Sequence, residues 1–412
     1  MSPLNITIYR KIVVLIIKTY RQPTLIAVLF DTKSKQHTIV NAYTSQKVPS
    51  IFASYSERGL EKPHTATQTK KQLFISQKTI FSLPTQLVVE NLNSTLPEEI
   101  VQLLKTQKYH LIGNHSAVKR CRWLYESLVH NRPCYKQQFY GIKSHRCIQM
   151  TPTIAQCDLR CSFCWRIQSG DLPETRWDEM ASPTWDDPET IIEECIKQQK
   201  RIISGYKANP KVNPNKLREA TEPKHVAISL AGEPTFYPYL GELIERFSQR
   251  GFTTFLVSNG TKPETLTKLS KEPTQLYISL CAPDETTFKK TCRPQTPDAW
   301  EKLNLTLSLL STFKCPTVLR LTLSRHLNLK SPELYAKLIE KANPTYVEPK
   351  AYMYVGFSRL RLEFENMPRH KEIQEFATKL AKETGYNILQ EAPESRVVLL
   401  SRLKKPIKLT QN

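Results

Sequence analysis

The stretch Gln156-Cys-Asp-Leu-Arg-Cys-Ser-Phe-Cys-Trp-Arg166 places Cys157, Cys161 and Cys164 in a C-x3-C-x2-C array directly after the apolar run Cys147 to Ile154. Three thiolates on so short a loop can converge on one metal centre. An iron–sulfur cluster held by only three cysteines keeps one iron open to another ligand, and that iron is where chemistry can begin. A zinc clip draws on the same residues. Structural zinc, however, is almost always closed by four protein ligands, and this loop holds neither a fourth Cys nor a His. Spacing therefore favours a cluster and leaves zinc as the alternative.

A cluster of this kind implies a reducing compartment, and the cysteine usage agrees. Six of the ten cysteines lie between residues 121 and 164 of a 412-residue chain without a recognisable signal peptide, which points to a cytoplasmic location rather than a disulfide scaffold. The apolar runs Ile12 to Ile17 and Leu25 to Phe30 are split by Lys18, Arg21 and Gln22. Neither approaches the roughly 20 apolar residues of a spanning helix, so no membrane anchor is expected. The net charge of +21 favours a polyanionic partner, above all nucleic acid. Residues 1–95 hold 12 Lys+Arg against 4 Asp+Glu, or +8, which leaves +13 on the other 317 residues. The basic character is not confined to a tail.

Residues 1–93 contain one glycine, many Ser, Thr, Lys and Gln, and only patchy apolar runs. They read as a weakly folded extension, or as translated sequence upstream of the true start, with a few strands or helices possible in the apolar runs. From Pro97, Ile100, Val101, Leu103 and Leu104 give a helical period behind Glu98 and Glu99, with Thr95 as the expected cap. Gly113 ends that unit, and Ser116 is expected to cap a second helix, Ala117 to Val129. Cys121, Cys134 and Cys147 follow one another at equal steps of thirteen residues just ahead of the first triplet. Residues 94–150 are thus expected to form a helical segment carrying a second set of cysteines. Cys195, Cys281, Cys292 and Cys315 read as small buried hydrophobes.

Beyond the loop the pattern alternates. A helix over Pro188 to Gly205 and a basic connector to Lys224 lead to strand candidates at His225–Leu230, Thr253–Ser258, Leu276–Cys281, Val318–Leu323 and Tyr346–Val355. Helical patterns at Tyr239–Gln249, Pro263–Leu269, Ala299–Thr312, Pro332–Lys341 and His370–Glu383 separate or follow them. With the run before Cys157 as the first strand, this makes six strand-then-helix repeats and a mainly parallel sheet over residues 147–400, followed by a basic tail at 401–412. In parallel α/β barrels functional residues gather at the C-terminal strand ends. Here the cysteine triplet, Gly232-Glu233-Pro234 and Ser258-Asn259-Gly260 occupy three successive ones.

The triplet with Phe163 before its last cysteine, together with Gly232-Glu233-Pro234, resembles the radical S-adenosylmethionine superfamily. Within it, the stretches beginning Gly113-Asn-His-Ser, Cys134-Tyr-Lys-Gln-Gln-Phe, Cys161-Ser-Phe-Cys-Trp-Arg, Ser229-Leu-Ala-Gly-Glu-Pro and Lys350-Ala-Tyr-Met-Tyr-Val-Gly are similar to the 4-demethylwyosine synthase family. The resemblance spans about residues 96 to 400. It matches the archaeal type, since residues 1–93 lack the phosphate-binding loop of the flavodoxin-like domain that eukaryotic members carry.

This resemblance implies a partial (β/α)6 barrel, two 4Fe-4S clusters and S-adenosyl-L-methionine. Cys157, Cys161 and Cys164 match the ligands of the cluster that binds adenosylmethionine, and Cys121, Cys134 and Cys147 those of the second cluster. Gly232, Glu233 and Pro234 match the motif at the methionine amino group. Ser258 and Asn259 match polar groups near the ribose and carboxylate, although Asn-Gly is also a turn dipeptide. Lys136 matches a lysine thought to hold pyruvate as a Schiff base, whereas Lys108, Lys119 and Lys143 have no such support.

The implied reaction joins carbons two and three of pyruvate to N1-methylguanosine at position 37 of phenylalanine tRNA, with loss of the carboxylate. It begins with hydrogen removal from the N1-methyl group by a deoxyadenosyl radical. An external electron donor and a monomeric enzyme are expected, and the basic surface supplies phosphate contacts. A base beside an anticodon has to be splayed into the barrel mouth for such chemistry. Two other readings stay open on the residues: a zinc-stabilised RNA-binding module, and a radical enzyme acting on a peptide or small molecule.

Overall fold

The computed structural model describes residues 96–409 and, ahead of them, the backbone of three strands. These are β1 (Ile12–Lys18), β2 (Pro23–Phe30) and β3 (His37–Thr44), an antiparallel meander in which Ile12 pairs with Leu29 and Thr24 with Thr44. Two of them fall on the apolar runs of the extension. The rest of residues 1–93, with the expected cap Thr95, lies outside the described residues. By its internal contacts the chain divides into two units, Met1–Leu87 and Val88–Asn412.

The second unit is built on a ten-stranded sheet. A hairpin of β4 (Tyr109–Ile112) and β5 (Ser116–Lys119) forms one edge. Next come six parallel strands in chain order: β6 (Cys147–Thr151), β7 (His225–Ile228), β8 (Thr253–Ser258), β9 (Gln275–Ser279), β10 (Thr317–Leu323) and β11 (Tyr346–Ala351). A second hairpin, β12 (Asn387–Ala392) and β13 (Val397–Ser401), closes the other edge with β13 antiparallel to β11. The six parallel strands are the partial barrel expected from the alternating pattern. Parallel strands have to be covered on both faces, which is why they read as nearly unbroken apolar runs.

The helices are α1 (Glu98–Thr106), α2 (Arg122–Val129), α3 (Tyr135–Tyr140), α4 (Pro188–Ser204), α5 (Pro214–Ala220), α6 (Leu240–Gln249), α7 (Pro263–Thr267), α8 (Glu285–Cys292), α9 (Ala299–Leu309), α10 (Pro332–Ala342) and α11 (His370–Thr384). Local chemistry sets their ends. At α4 the Asp187 carboxylate accepts from the Thr190 N–H and Pro188 occupies the first turn, where its missing N–H costs nothing. Strand residues alternate between two cores. Leu276, Ile278, Leu319, Leu321 and Val347 pack with the outer helices, whereas Phe255, Tyr277, Val318 and Tyr346 pack with Tyr135, Phe139 and Tyr140 of α3. Helix α3 therefore sits against the inward face of the sheet and fills it.

Three local expectations are corrected. Ser116 caps no helix. Ala117 and Val118 are fully buried and pair with β4 on one side and with Thr151 and Met150 of β6 on the other, so α2 begins only after Cys121. Tertiary pairing overrides the helical reading of Ala117-Val118, and Gly113, at φ +52°, turns the hairpin instead of ending a helix. Secondly, α1 starts after Pro97 without a side-chain cap. Thirdly, α5, α8 and the β12–β13 hairpin add to the expected elements. The chain after Ser401 returns to α3, where the Leu409 N–H donates to the Tyr140 carbonyl at 2.9 Å. Among the described residues no helix is long and apolar enough to cross a membrane.

Candidate active site

The loop after β6 carries Cys157, Cys161 and Cys164, and its backbone is held from three sides. The Cys157 N–H donates to the Glu179 carbonyl at 3.0 Å, Ser162 N–H to the Thr291 carbonyl at 2.9 Å, and Gln168 Nε2 to the Cys161 carbonyl at 2.9 Å. Buried Arg166 pairs with the fully buried Glu179 carboxylate, which Arg160 Nε also meets at 2.7 Å. From beyond β11, Arg361 donates to the carbonyls of Ser162, Cys164 and Arg166 while its guanidinium pairs with Asp171 at 2.5 Å. The loop is thus fixed before anything binds to it.

The end of β7 locks onto the same loop. Gly232 has φ +69°, and a Cβ there would overlap the Thr153 carbonyl oxygen and come within 2.7 Å of that of Gln156, so only glycine fits. Its neighbour Glu233 donates its N–H to the Gln156 carbonyl at 2.8 Å. The Glu233 carboxylate accepts from Thr235 N–H (3.1 Å), Thr235 Oγ1 (2.7 Å), Ser258 Oγ (2.8 Å) and Asn259 N–H (2.7 Å). Burial pushes its pKa up to about 7 despite these donors, and the charge of Asp158 adds to the rise. Asn259 Nδ2 and Thr261 Oγ1 in turn donate to Asp158 of the cysteine loop at 2.7 and 2.6 Å. Three strand ends are thereby joined through Glu233 and Asp158. The Glu233 side chain is an organiser of this mouth, a role that its type alone did not reveal.

Cys121 and Cys134 stand at the N-caps of α2 and α3, and Cys147 opens β6. Burial, then the neighbouring Cys121 sulfur, pushes the Cys134 thiol up to about 12, and burial with Cys121 and Cys134 raises that of Cys147. Backbone N–H groups of Trp123 and Leu124 face Cys121, that of Lys136 faces Cys134 and that of Ala227 faces Cys147. Each sulfur already has a donor suited to a thiolate.

Lys136, in the first turn of α3, points its Nζ between two aromatic faces, 4.2 Å from the ring centroids of both Phe255 and Tyr277. Burial, then the guanidinium of Arg320, lowers its pKa to about 8. Arg320 pairs with the buried Glu348 carboxylate at 3.2 Å. Glu348 also accepts from the hydroxyls of Tyr140 (2.7 Å), Tyr135 (3.1 Å) and Tyr277 (3.2 Å). Two residues on from Glu348 along β11, and so on the same face of the sheet, lies Lys350. Burial and Arg320 lower its pKa to about 8 as well, and its Nζ donates to the Ser395 carbonyl at 2.5 Å.

Among the described residues, no three ligating side chains converge tightly enough to hold a single ion. A four-iron cluster binds its cysteines on separate irons, so both sets fit such a group: three thiols each, none in a disulfide. Burial raises the pKa of Cys157, and the thiol of Cys292 followed by burial that of Cys161, so these sulfurs are neutral until a cationic centre deprotonates them. Cys292, expected to be purely structural, is a direct neighbour of Cys161.

No role is readable from the sequence for Asp158, Glu179, Arg361, Arg320, Glu348 and Lys350, although Asp158 lies inside the cysteine loop and Lys350 heads one of the family-like stretches. For the last three a signal was present: charged residues alternating inside otherwise apolar strands, where only paired or functional charges belong. Lys143 is paired with Glu219 at 3.0 Å, and Lys119 lies over the Tyr109 ring at 4.1 Å.

A parallel six-stranded sheet with a three-cysteine loop after its first strand, matched over residues 151–339 by the radical SAM superfamily profile, defines a radical S-adenosylmethionine enzyme. A second profile, wyosine base formation, matches residues 341–402. The chain belongs to the tRNA 4-demethylwyosine synthase family. It is 52% identical over 314 residues to the S-adenosyl-L-methionine-dependent tRNA 4-demethylwyosine synthase of Pyrococcus abyssi, covering 75% of this chain and 90% of that one. To the enzyme of Methanocaldococcus jannaschii it is 43% identical over 76% of this chain and 98% of that one. A structure of TYW1 with a lysine–pyruvate adduct bound superposes with a TM-score of 0.69 at 40% identity, over 77% of this chain and 100% of that one. A crystal structure of archaeal TYW1 gives 0.63 at 37% identity, over 76% and 99%.

Proposed function

We propose that this enzyme condenses N1-methylguanosine at position 37 of phenylalanine tRNA with pyruvate to form 4-demethylwyosine, and that Lys136 holds the pyruvate. The observation that carries this reading is the setting of Lys136: a buried amine between Phe255 and Tyr277, within electrostatic reach of Cys134 and Cys147. A relative of the same fold is known with a lysine–pyruvate adduct. Cys157, Cys161 and Cys164 hold one 4Fe-4S cluster, Cys121, Cys134 and Cys147 a second, and Gly232–Pro234, Ser258 and Asn259 line the S-adenosyl-L-methionine site. Once bound, the first cluster and adenosylmethionine supply one-electron, hydrogen-abstracting chemistry, with the electron coming from an external donor.

Lys136 acts as nucleophile. Its unprotonated Nζ attacks C2 of pyruvate, the carbonyl oxygen leaves as water, and the imine carbon stays covalently fixed to α3. Burial and the positive charge of Arg320 favour the free amine that this attack needs. The Glu348–Arg320–tyrosine network fixes the floor, so the bound carbons are held in one place while the methylated base enters from the mouth.

Turnover with methylguanosine-bearing tRNA, pyruvate, adenosylmethionine and a reductant, followed by nucleoside mass spectrometry, tests the whole reading. Borohydride should trap a pyruvate adduct on Lys136, and Lys136→Arg should lose both adduct and product while keeping its iron, because an arginine stays protonated and forms no imine. Near-normal product from that variant would remove the covalent step.

A further inference from the structure

Where β6 gives way to the cysteine loop, one histidine grips the chain from outside. His115, in the turn of the β4–β5 hairpin, is fully buried. Its backbone carbonyl accepts from the Ile154 N–H at 2.8 Å, and its Nδ1 lies 2.6 Å from the Pro152 carbonyl oxygen. A carbonyl only accepts, so Nδ1 carries the proton; Ser116 Oγ lies 3.0 Å from the same nitrogen. Burial holds the ring below the ordinary histidine pKa, and Nε2 of the neutral ring accepts from the Asp186 N–H at 2.8 Å, with the Asp186 carboxylate 3.2 Å away.

The two peptide groups that His115 holds are the ones that meet the end of β7. The peptide that gives its N–H to the His115 carbonyl turns its other side, the Thr153 carbonyl, toward Gly232, where no Cβ fits. The peptide whose carbonyl meets Nδ1 donates its N–H to Thr151 Oγ1 at 3.1 Å, and that hydroxyl donates to the Ala231 carbonyl at 2.5 Å. Beyond the ring, the Asp186 carbonyl accepts from the Tyr237 hydroxyl at 2.8 Å, and Tyr237, which follows the short turn Pro234–Phe236, stacks on His115 with ring centroids 5.8 Å apart. Gly113 is fitted to the same place, since a Cβ there would fall on the Asp186 carboxylate.

We infer that His115 is a positioning residue of the adenosylmethionine site, its Nδ1–H setting the first turn of the cysteine loop against Gly232-Glu233-Pro234. This rests on the reading that those two strand ends hold adenosylmethionine. His115 acts indirectly, through Pro152 and Thr153. A loop that is in place for only a fraction of the time binds its ligand more weakly by that fraction.

Asparagine and glutamine divide the ring's two bonds, because an Asn amide reaches the Nδ1 position and a Gln amide the Nε2 position. In the iron-loaded full chain, His115→Gln should keep its iron and weaken adenosylmethionine, measured by equilibrium dialysis, by about fivefold or more, the scale of one buried hydrogen bond. His115→Asn, which keeps the donor to Pro152, should restore most of that affinity. The change that adenosylmethionine makes in the electron paramagnetic resonance spectrum of the reduced first cluster should follow the same order. Packing alone predicts the reverse, since Asn leaves the larger cavity, and denaturant unfolding should show Asn to be the less stable of the two variants. Equal affinities, an affinity order that follows stability, or loss of iron from both variants would overturn the assignment. An iron-loaded wild type that binds no adenosylmethionine would bring down the reading of the site itself, and this inference with it.

Discussion

At the scale of single residues, Gly232 and Glu233 set how the cysteine loop and the second strand end meet. Gly232→Ala would press a methyl group into the Thr153 carbonyl at a backbone angle that disfavours side chains. The loop has to shift, so the expected result is loss of iron from the first cysteine set and of adenosylmethionine cleavage, with the second set still loaded. Iron analysis of the variant in a background lacking Cys121, Cys134 and Cys147 checks this. Full iron retention there would show that the loop tolerates the shift. Glu233 gives a pH prediction. Its pKa is raised by burial to about 7 from an ordinary 4.5, so the folded protein holds its proton more tightly than the unfolded chain. The resulting stability is present below about pH 4.5 and is lost as pH rises through 7, by at most about 3 kcal/mol. Glu233→Gln should flatten that part of a stability profile measured by denaturant unfolding of the apoprotein between pH 5 and 8. A profile unchanged by the substitution would mean that Glu233 is already ionised in the fold. The cysteines and Gly232 were legible in the sequence because spacing or motif marks them, and Lys136 was singled out through the family resemblance alone. Glu348, Arg320 and Lys350 were less so: they are charges set in otherwise apolar strands, Arg320 on β10 and the other two on one face of β11, and only the closed sheet brings them to α3.

At the scale of elements, α3 does the work of a floor. It is six residues long, far too short to be stable by itself, and owes its place to Phe139 and Tyr140, both fully buried among Phe255, Tyr277 and Tyr346. Phe139→Ala should cost about 3–5 kcal/mol by the cavity it leaves. Because Cys134 caps α3 and Lys136 lies in its first turn, the same change should loosen the second cysteine set ahead of the first. Thermal unfolding with iron counted per site decides: equal loss from both sets would show that α3 has no special hold on the second. The parallel strands and outer helices were readable from alternation, because their apolar periods follow directly from burial on two faces. The edge hairpins were not. Ser116-Ala-Val-Lys119 is as compatible with a helix as with a strand until β6 offers its edge, and β12–β13 is fixed by pairing with β11. Arg361 shows a further long-range tie, since the part of the chain matched by the wyosine profile reaches back to the carbonyls of the cysteine loop.

For the molecule as a whole, the division at Leu87/Val88 and the distribution of charge bear on one question: which part of the chain meets the RNA. The six cysteines proposed as cluster ligands, Lys136 and the residues proposed to line the adenosylmethionine site all lie between Cys121 and Asn259, and the described residues 96–409 hold the entire ten-stranded sheet on which those residues depend. Residues 1–95 account for +8 of the +21, and the remainder for +13. Phosphate contacts release counterions, so the logarithm of the affinity falls with the logarithm of salt by roughly 0.7–0.9 per contact. Suppose the anticodon arm is gripped by the catalytic unit alone. Then a chain lacking residues 1–93 keeps its iron, its turnover and its salt slope on methylguanosine-bearing tRNA, and loses only the weak, sequence-independent attraction that a further +8 lends at low salt. Filter binding of the full and shortened chains between about 50 and 200 mM salt separates the cases, over a range in which several phosphate contacts change affinity by orders of magnitude. A slope smaller by about two or more in the shortened chain would place phosphate contacts in the extension. Loss of soluble protein or of iron on shortening would instead make residues 1–93 part of the fold that holds the site.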